Sequence, residues 1–159
     1  MEGTGCEATV AAIEHLGICL ATCNRTMVCP VEHSRAAPNE PARVLIVEDE
    51  RVARQALGSL LSTCGYRVEL AASAEEAIEL LQRRLPPDVV LLDVDLPGMN
   101  GLELLSRLSS LAPDVVPILV TGADRDVVQP AADRGIGYVR KPVDINNLLC
   151  LMDRSLGRS

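Results

Sequence analysis

Phenylalanine and tryptophan are absent from this chain, and tyrosine occurs only as Tyr66 and Tyr138. A core without large rings must be built from Leu, Val, Ile and Ala, and apolar residues make up 48% of the 159-residue sequence, enough for one domain of ordinary size. Basic charge is scarce as well. The net charge of −7 argues against non-specific nucleic-acid binding, which needs a basic stripe. No apolar run approaches the ~20 residues of a membrane span. Glu14 and His15 interrupt the one apolar stretch near the N-terminus, which therefore does not read as an export signal. Of six cysteines (Cys6, Cys19, Cys23, Cys29, Cys64 and Cys150), four fall in the first 29 residues. A disulfide scaffold suits a small secreted chain without a core. The expectation here is a cytoplasmic protein with reduced thiols.

Lysine is the other near-absence. Lys141 is the only one, against fourteen arginines, and it stands before a proline at the end of a short apolar run, GYVRKPVD. Arg is a wide planar fork, whereas Lys is a compact point charge on a flexible stem. A lone Lys suggests a small pocket holding something small and anionic. Chance in an Arg-biased composition is the competing explanation, and the partners upstream decide between them.

The chain changes character near residue 42. Residues 1–41 show little sustained periodicity, and SRAAPNEPA reads as a linker. Beyond it, short apolar runs alternate with helical spacing. VLIV (44–47) fits a strand buried on both faces. Residues 51–63 place Ala53, Ala56, Leu57, Leu60 and Leu61 on one helical face, closed by Gly65. RVELA (67–71) is a second strand. Ser73 with Glu76 makes a capping box for a helix whose buried stripe is Ala77, Ile78, Leu81 and Leu85, stopped by Pro86 and Pro87. DVVLLD (88–93) is a third strand, followed by a helix over 101–111 with Leu102, Leu105 and Leu108 on one side. VPILVTG (116–122) is a fourth strand, and 124–134 is weakly helical, with Pro130 predicting a break or a helix that starts there. GYVRK is a fifth strand, and Asp144 caps a last helix burying Ile145, Leu148, Leu149, Met152 and Leu156. Such alternation predicts an α/β fold, a parallel sheet with helices on both faces and right-handed crossovers.

Ligands of such sheets sit beyond the carboxyl ends of the strands. There the sequence places Glu48-Asp49-Glu50, Asp93, Thr121 and Lys141. Glu48, Asp49 and Asp93 would crowd three carboxylates together, a repulsion that a hard cation relieves; Mg²⁺ takes oxygen ligands, commonly one or two carboxylates with waters and phosphate oxygens. Thr121 offers a hydroxyl and Lys141 a positive charge. The set describes a pocket for a phosphoryl group. Glu50 and the Asp95 side chain, taken singly, read as solvated loop residues.

VLIVEDE, VVLLDVDLPGMNG, VTG and YVRKP, in this order and spacing, resemble the receiver domain of two-component response regulators over roughly residues 42–157. The resemblance implies a five-stranded parallel sheet of order 2-1-3-4-5. It makes Asp93 the phosphoacceptor, taking a phosphoryl group from a histidine kinase or histidine phosphotransfer protein. It assigns Mg²⁺ to Asp49, Asp93 and the main-chain carbonyl of Asp95, with Glu48 acting through a water. Thr121 and Lys141 would bind phosphoryl oxygens, Tyr138 would be the aromatic switch residue, and Lys141–Pro142 would be a cis peptide. Two residues depart from the commonest pattern: Gly122 stands where Ala is more frequent, and Asp95 is acidic at a variable position.

DVDLPG also resembles the first motif of haloacid-dehalogenase-type phosphatases, but those carry it on their first strand with an acidic pair downstream, and here the pair lies upstream. A pseudo-receiver serving only as an interaction module is the third reading, against which the complete residue set argues. The expectation is a Mg²⁺-dependent phosphoacceptor, not an enzyme. No fused output domain is expected, because so little of this sequence follows the last helix. It would act on a downstream protein target, without nucleic-acid or membrane contact, and a homodimer is left open. Residues 1–41 are expected to be a dispensable extension. Within it Cys19, Cys23, Cys29 and His33 are zinc-type ligands without a standard knuckle spacing, and Met27 is an alternative start.

Overall fold

The computed structural model describes residues 40–157 apart from Arg84 and Ala123. The cysteine-rich head, with its zinc-type residues and Met27, lies outside the described residues. Five strands alternate with five helices: β1 Arg43–Val47, α1 Arg51–Thr63, β2 Arg67–Ala71, α2 Ala74–Arg83, β3 Val89–Asp93, α3 Gly101–Leu111, β4 Val116–Thr121, α4 Arg125–Ala132, β5 Gly137–Arg140 and α5 Ile145–Ser155. All strand pairs are parallel, in the order β2-β1-β3-β4-β5. The predicted architecture and strand order are both present.

The two-residue period of a strand divides the core in two. Leu45, Val47, Val90, Leu92 and Leu119 face one side and pack with Leu81 of α2, Leu104, Leu105 and Leu108 of α3, and Val128 and Ala131 of α4. Val44, Ile46, Val89, Leu91, Ile118, Val120 and Val139 face the other, against Leu61 of α1 and Leu148 and Met152 of α5. Burying each such Leu, Ile or Met contributes about 1.5–3 kcal/mol, so aliphatic side chains alone can hold the layers together. β3 is buried along its whole length. Its last residue, Asp93, is thus carried into the middle of the sheet's carboxyl edge.

Helix starts follow the local chemistry. Ser73 Oγ accepts from the amide of Glu76 at 3.2 Å, and the Glu76 carboxylate reaches back to the amide of Ala72 at 2.7 Å. Asp144 accepts from the amides of Asn146 and Asn147 at 2.9 and 3.3 Å. Asn100 caps α3 by accepting from the amide of Glu103 at 2.8 Å.

Three details correct the sequence reading. Leu85 does not belong to the stripe of α2: the helix stops at Arg83, and Leu85 is 76% exposed. On α3 the buried face includes Leu104, while Leu102 is only partly buried. Pro130 neither breaks nor begins α4, which runs from Arg125 through it to Ala132. Burial of Val128 and Ala131 on either side of the proline holds the helix. On the exposed face, Arg125 Nε donates to Gln129 and Gln129 Nε2 donates to Asp133, bridging successive turns. The local cost of proline is overridden by packing, and α4 remains the shortest of the five helices at 8 residues.

Candidate phosphoryl and metal site

The strand ends converge as the topology requires. Asp93 closes β3, Thr121 closes β4, Glu48 follows β1, and Lys141 follows β5 by one residue. Glu48, Asp93 and Thr121 are the buried polar residues of the described core, at 5%, 3% and 0% exposure. Lys141 Nζ lies 2.6 Å from Asp93 Oδ2 and 2.7 Å from Glu48 Oε2. One ammonium therefore bridges two buried carboxylates, reaching past β4 to do so. Its amide is also fixed, donating to the carbonyl of Thr121 at 2.9 Å. The Lys141–Pro142 peptide is cis.

Asp93 Oδ1 accepts from the amide of Asp95 at 3.1 Å, so each oxygen of the candidate acceptor has a donor. Asp49 is exposed, yet one carboxylate oxygen each from Glu48, Asp49 and Asp93 lie within 4.8 Å of one another. An all-oxygen, carboxylate-rich set of that span fits a hard divalent cation such as Mg²⁺. The Asp95 side chain is exposed. Tyr138 is half-buried on β5 and packs against the core cluster that contains Val128 and Ala131 of α4.

The charges are tuned by this arrangement. Burial pushes the Glu48 carboxyl above its ordinary 4.5; the bond from Lys141 lowers it, the negative Asp93 raises it, and the upward effects prevail. Burial pulls the Lys141 ammonium down, but its bonds to Asp93 and Glu48 outweigh that and hold it above its ordinary 10.5. Among the described residues, no buried side-chain nitrogen or oxygen lacks a partner.

The loop after β3 is shaped around Asp93. Gly98 has φ +78°, and the amide of Gly101 donates to the carbonyl of Val94 at 3.1 Å. A Cβ on Gly101 would lie 2.0 Å from the Asp93 carbonyl oxygen, so only glycine fits at the start of α3.

Sequence reasoning missed several supporting residues. Glu50, read there as solvated, caps α1 by accepting from the amides of Val52 and Ala53 at 2.9 and 2.6 Å. Those bonds lower its carboxyl below the ordinary 4.5. A Glu in place of Ser or Asp is the reason it escaped notice. The Glu75 carboxyl is lowered below its ordinary 4.5, chiefly by its own amide and the Ser73 hydroxyl. Arg54 Nη1 donates to the main-chain carbonyls of Glu48 and Asp49 at 2.6 and 3.0 Å. No periodicity distinguishes that arginine from the others.

An open parallel α/β domain with an acidic crevice and a lysine at its carboxyl edge is the class that fold and site define. The family of the response regulator receiver domain matches residues 44–153, and the chain belongs to it. An uncharacterized response regulatory protein of Vibrio cholerae is 39% identical over 116 residues, covering 70% of this chain and 47% of that protein. Response regulator MprA of Mycobacterium sp. (strain KMS) is 39% identical over 122 residues, 75% of this chain and 52% of MprA. The chain thus spans about half the length of these relatives. The solved CheY-like receiver domain from Methanospirillum hungatei superposes with a TM-score of 0.68 at 30% identity, covering 74% of this chain and 95% of that one. The phosphatase-like motif DVDLPG begins at Asp93, the last residue of the third strand, with Glu48 and Asp49, which follow β1, beside it. No described helix is long and apolar enough to cross a membrane.

Proposed function

We propose that residues 42–157 form a phosphoacceptor domain in which Asp93 takes a phosphoryl group from a phosphohistidine on a histidine kinase or phosphotransfer protein. The observation that supports it most is the Lys141 ammonium bonded to both Asp93 and Glu48, with the Asp49 carboxylate alongside. In the reaction an Asp93 carboxylate oxygen attacks phosphorus, the P–N bond breaks, and the imidazole leaves with a proton from solvent. The product is an acyl phosphate. Lys141 and the Thr121 hydroxyl bind the phosphoryl oxygens, the ammonium shifting from Oδ2 of Asp93 to the arriving group. Mg²⁺ would be held by Asp49, Asp93 and the carbonyl of Asp95, with Glu48 through an intervening water, and it supplies charge neutralisation for the transfer. Tyr138, beside α4, reports the change to a face that a downstream protein reads. The domain works in the cytoplasm as a stoichiometric acceptor, and residues 1–41 form an extension outside it.

The test is incubation with Mg²⁺ and a small phosphodonor such as acetyl phosphate. Intact mass should rise by one base-labile phosphoryl group, and Asp93→Asn should remove the gain. Labelling that persists in that variant would sink the assignment.

A further inference from the structure

We propose that Arg54 is the positioning residue of the acidic pocket: its guanidinium fixes the main chain that carries Glu48 and Asp49, and so sets how tightly the pocket holds a divalent cation. The inference rests on the reading of the pocket as a Mg²⁺ site.

β1 ends at Val47, just before both carboxylates. Beyond it the Glu48 amide still donates to the carbonyl of Ala71 at 3.2 Å. The carbonyls of Glu48 and Asp49 are taken by Arg54 Nη1 at 2.6 and 3.0 Å. These two peptide planes decide that Glu48 turns inward, to Lys141, while Asp49 stays at the surface. Rotating either plane would break a bond to Arg54.

The anchor itself is firm. Arg54 sits in the opening turns of α1, where its amide donates to the carbonyl of Glu50 at 3.0 Å and the Glu50 side chain caps the helix. Glu48-Asp49-Glu50 and Arg54 therefore form one closed unit. Two residues point toward the pocket, one starts the helix, and the helix returns a side chain that holds the first two in place.

The sign of the effect separates this role from a bystander charge. A guanidinium beside a cation site repels the cation, so electrostatics alone makes removal of Arg54 tighten Mg²⁺ binding. Positioning predicts the reverse. Groups that orient metal ligands, without touching the metal, change affinity strongly when lost.

Isothermal titration of the full-length chain with MgCl₂ would compare wild type, Arg54→Met and Arg54→Lys, with thermal melts in EDTA as the folding control. The dissociation constant should rise about tenfold in Arg54→Met, and by less in Arg54→Lys, which keeps a donor for one carbonyl. The Mg²⁺ concentration for half-maximal phosphorylation by acetyl phosphate should rise in parallel, while the rate at saturating Mg²⁺ stays within about twofold of wild type. If Arg54→Met does not fold, Arg54→Lys carries the comparison. Folded variants that bind Mg²⁺ as tightly as wild type, or more tightly, overturn the proposal. A wild-type chain that binds no Mg²⁺ overturns the reading of the pocket, and this inference with it.

Discussion

Lys141 donates from Nζ to Oδ2 of Asp93 across 2.6 Å, joining the carboxyl ends of the edge strand β5 and the central strand β3. The same nitrogen holds Glu48 at 2.7 Å, so a single compact cation serves two carboxylates at once. Lys141→Arg should therefore be a poor replacement despite its charge. A planar fork cannot stand at hydrogen-bond distance from both without displacing one, or a bound phosphoryl group. Acetyl phosphate labelling should fall well below wild type while the circular dichroism spectrum is unchanged. Wild-type labelling would show that the single lysine is an accident of composition.

Removing the cation altogether has a different signature. Lys141→Met leaves Glu48 and Asp93 buried together with no positive partner. Breaking a fully buried pair costs about 3–5 kcal/mol; with the Lys141 side chain 32% exposed, about 2–3 kcal/mol is expected in EDTA. Saturating Mg²⁺ should recover much of this, because a cation bound to the folded state stabilises it. Urea unfolding with and without Mg²⁺ measures both terms. A loss that Mg²⁺ leaves untouched would argue that the carboxylates do not share one cation site.

The raised carboxyl of Glu48 makes a prediction about pH. Its folded pKa lies above the ordinary 4.5, so its stabilising contribution is complete below 4.5 and is lost as pH rises through the folded value. Glu48→Gln, which cannot ionise, escapes that loss. In EDTA, the stability of wild type relative to Glu48→Gln should decline from acid toward neutral pH. Lys141, raised above 10.5, keeps its contribution below 10.5 and loses it only in more alkaline solution, so it does not obscure this window. A wild type that gains on the variant between acid and neutral pH would reverse the sign and refute the account.

Two glycines near the site should respond very differently to alanine. At Gly101 the new Cβ would lie 2.0 Å from the Asp93 carbonyl oxygen, a backbone atom that cannot step aside. Overpacking there should cost about 3 kcal/mol and disturb the acceptor, abolishing labelling. At Gly122 no atom of the described residues beyond its chain neighbours lies within 4 Å of the added carbon. Gly122→Ala should change stability by less than about 0.5 kcal/mol. Denaturant melts of the two variants decide the matter, and equal effects would contradict the packing described.

The short α4 is the part of the fold expected to change on phosphorylation. Only Val128 and Ala131 bury fully, Val127 is exposed, and Pro130 removes one helical donor. Hydrogen exchange of residues 125–134 should be faster than in α5 and should change when beryllofluoride occupies the acceptor. Slow exchange that the mimic does not alter would place the output face elsewhere.

Much of this was legible because the fold turns sequence periodicity into position. Val44 and Ile46 separate from Leu45 and Val47 onto the two faces of the sheet by alternation alone. Asp93, Thr121 and Lys141 meet because each stands at or just past the end of a strand. What the pattern could not show depends on where the chain turns or what a long side chain reaches. Leu85 keeps the helical spacing of α2 but falls beyond its last residue, Arg83, and so faces solvent. Pro130 carries a local penalty that the burial of its neighbours overrides. Arg54 is one arginine among fourteen, and its target is a pair of carbonyls that carry no side-chain signature.

The amide of Lys141 is bonded to the carbonyl of Thr121 at 2.9 Å, the last link between β4 and β5. The residue that supplies the charge and the residue that supplies the hydroxyl are thereby yoked at their backbones. A displacement of one would pull on the other along the shared edge. Tyr138 rides that edge three residues upstream, paired with Leu119. On the proposed reading, in which Thr121 and Lys141 bind a phosphoryl group, this shared edge would act as a lever between the chemical pocket and the strand bearing the aromatic ring.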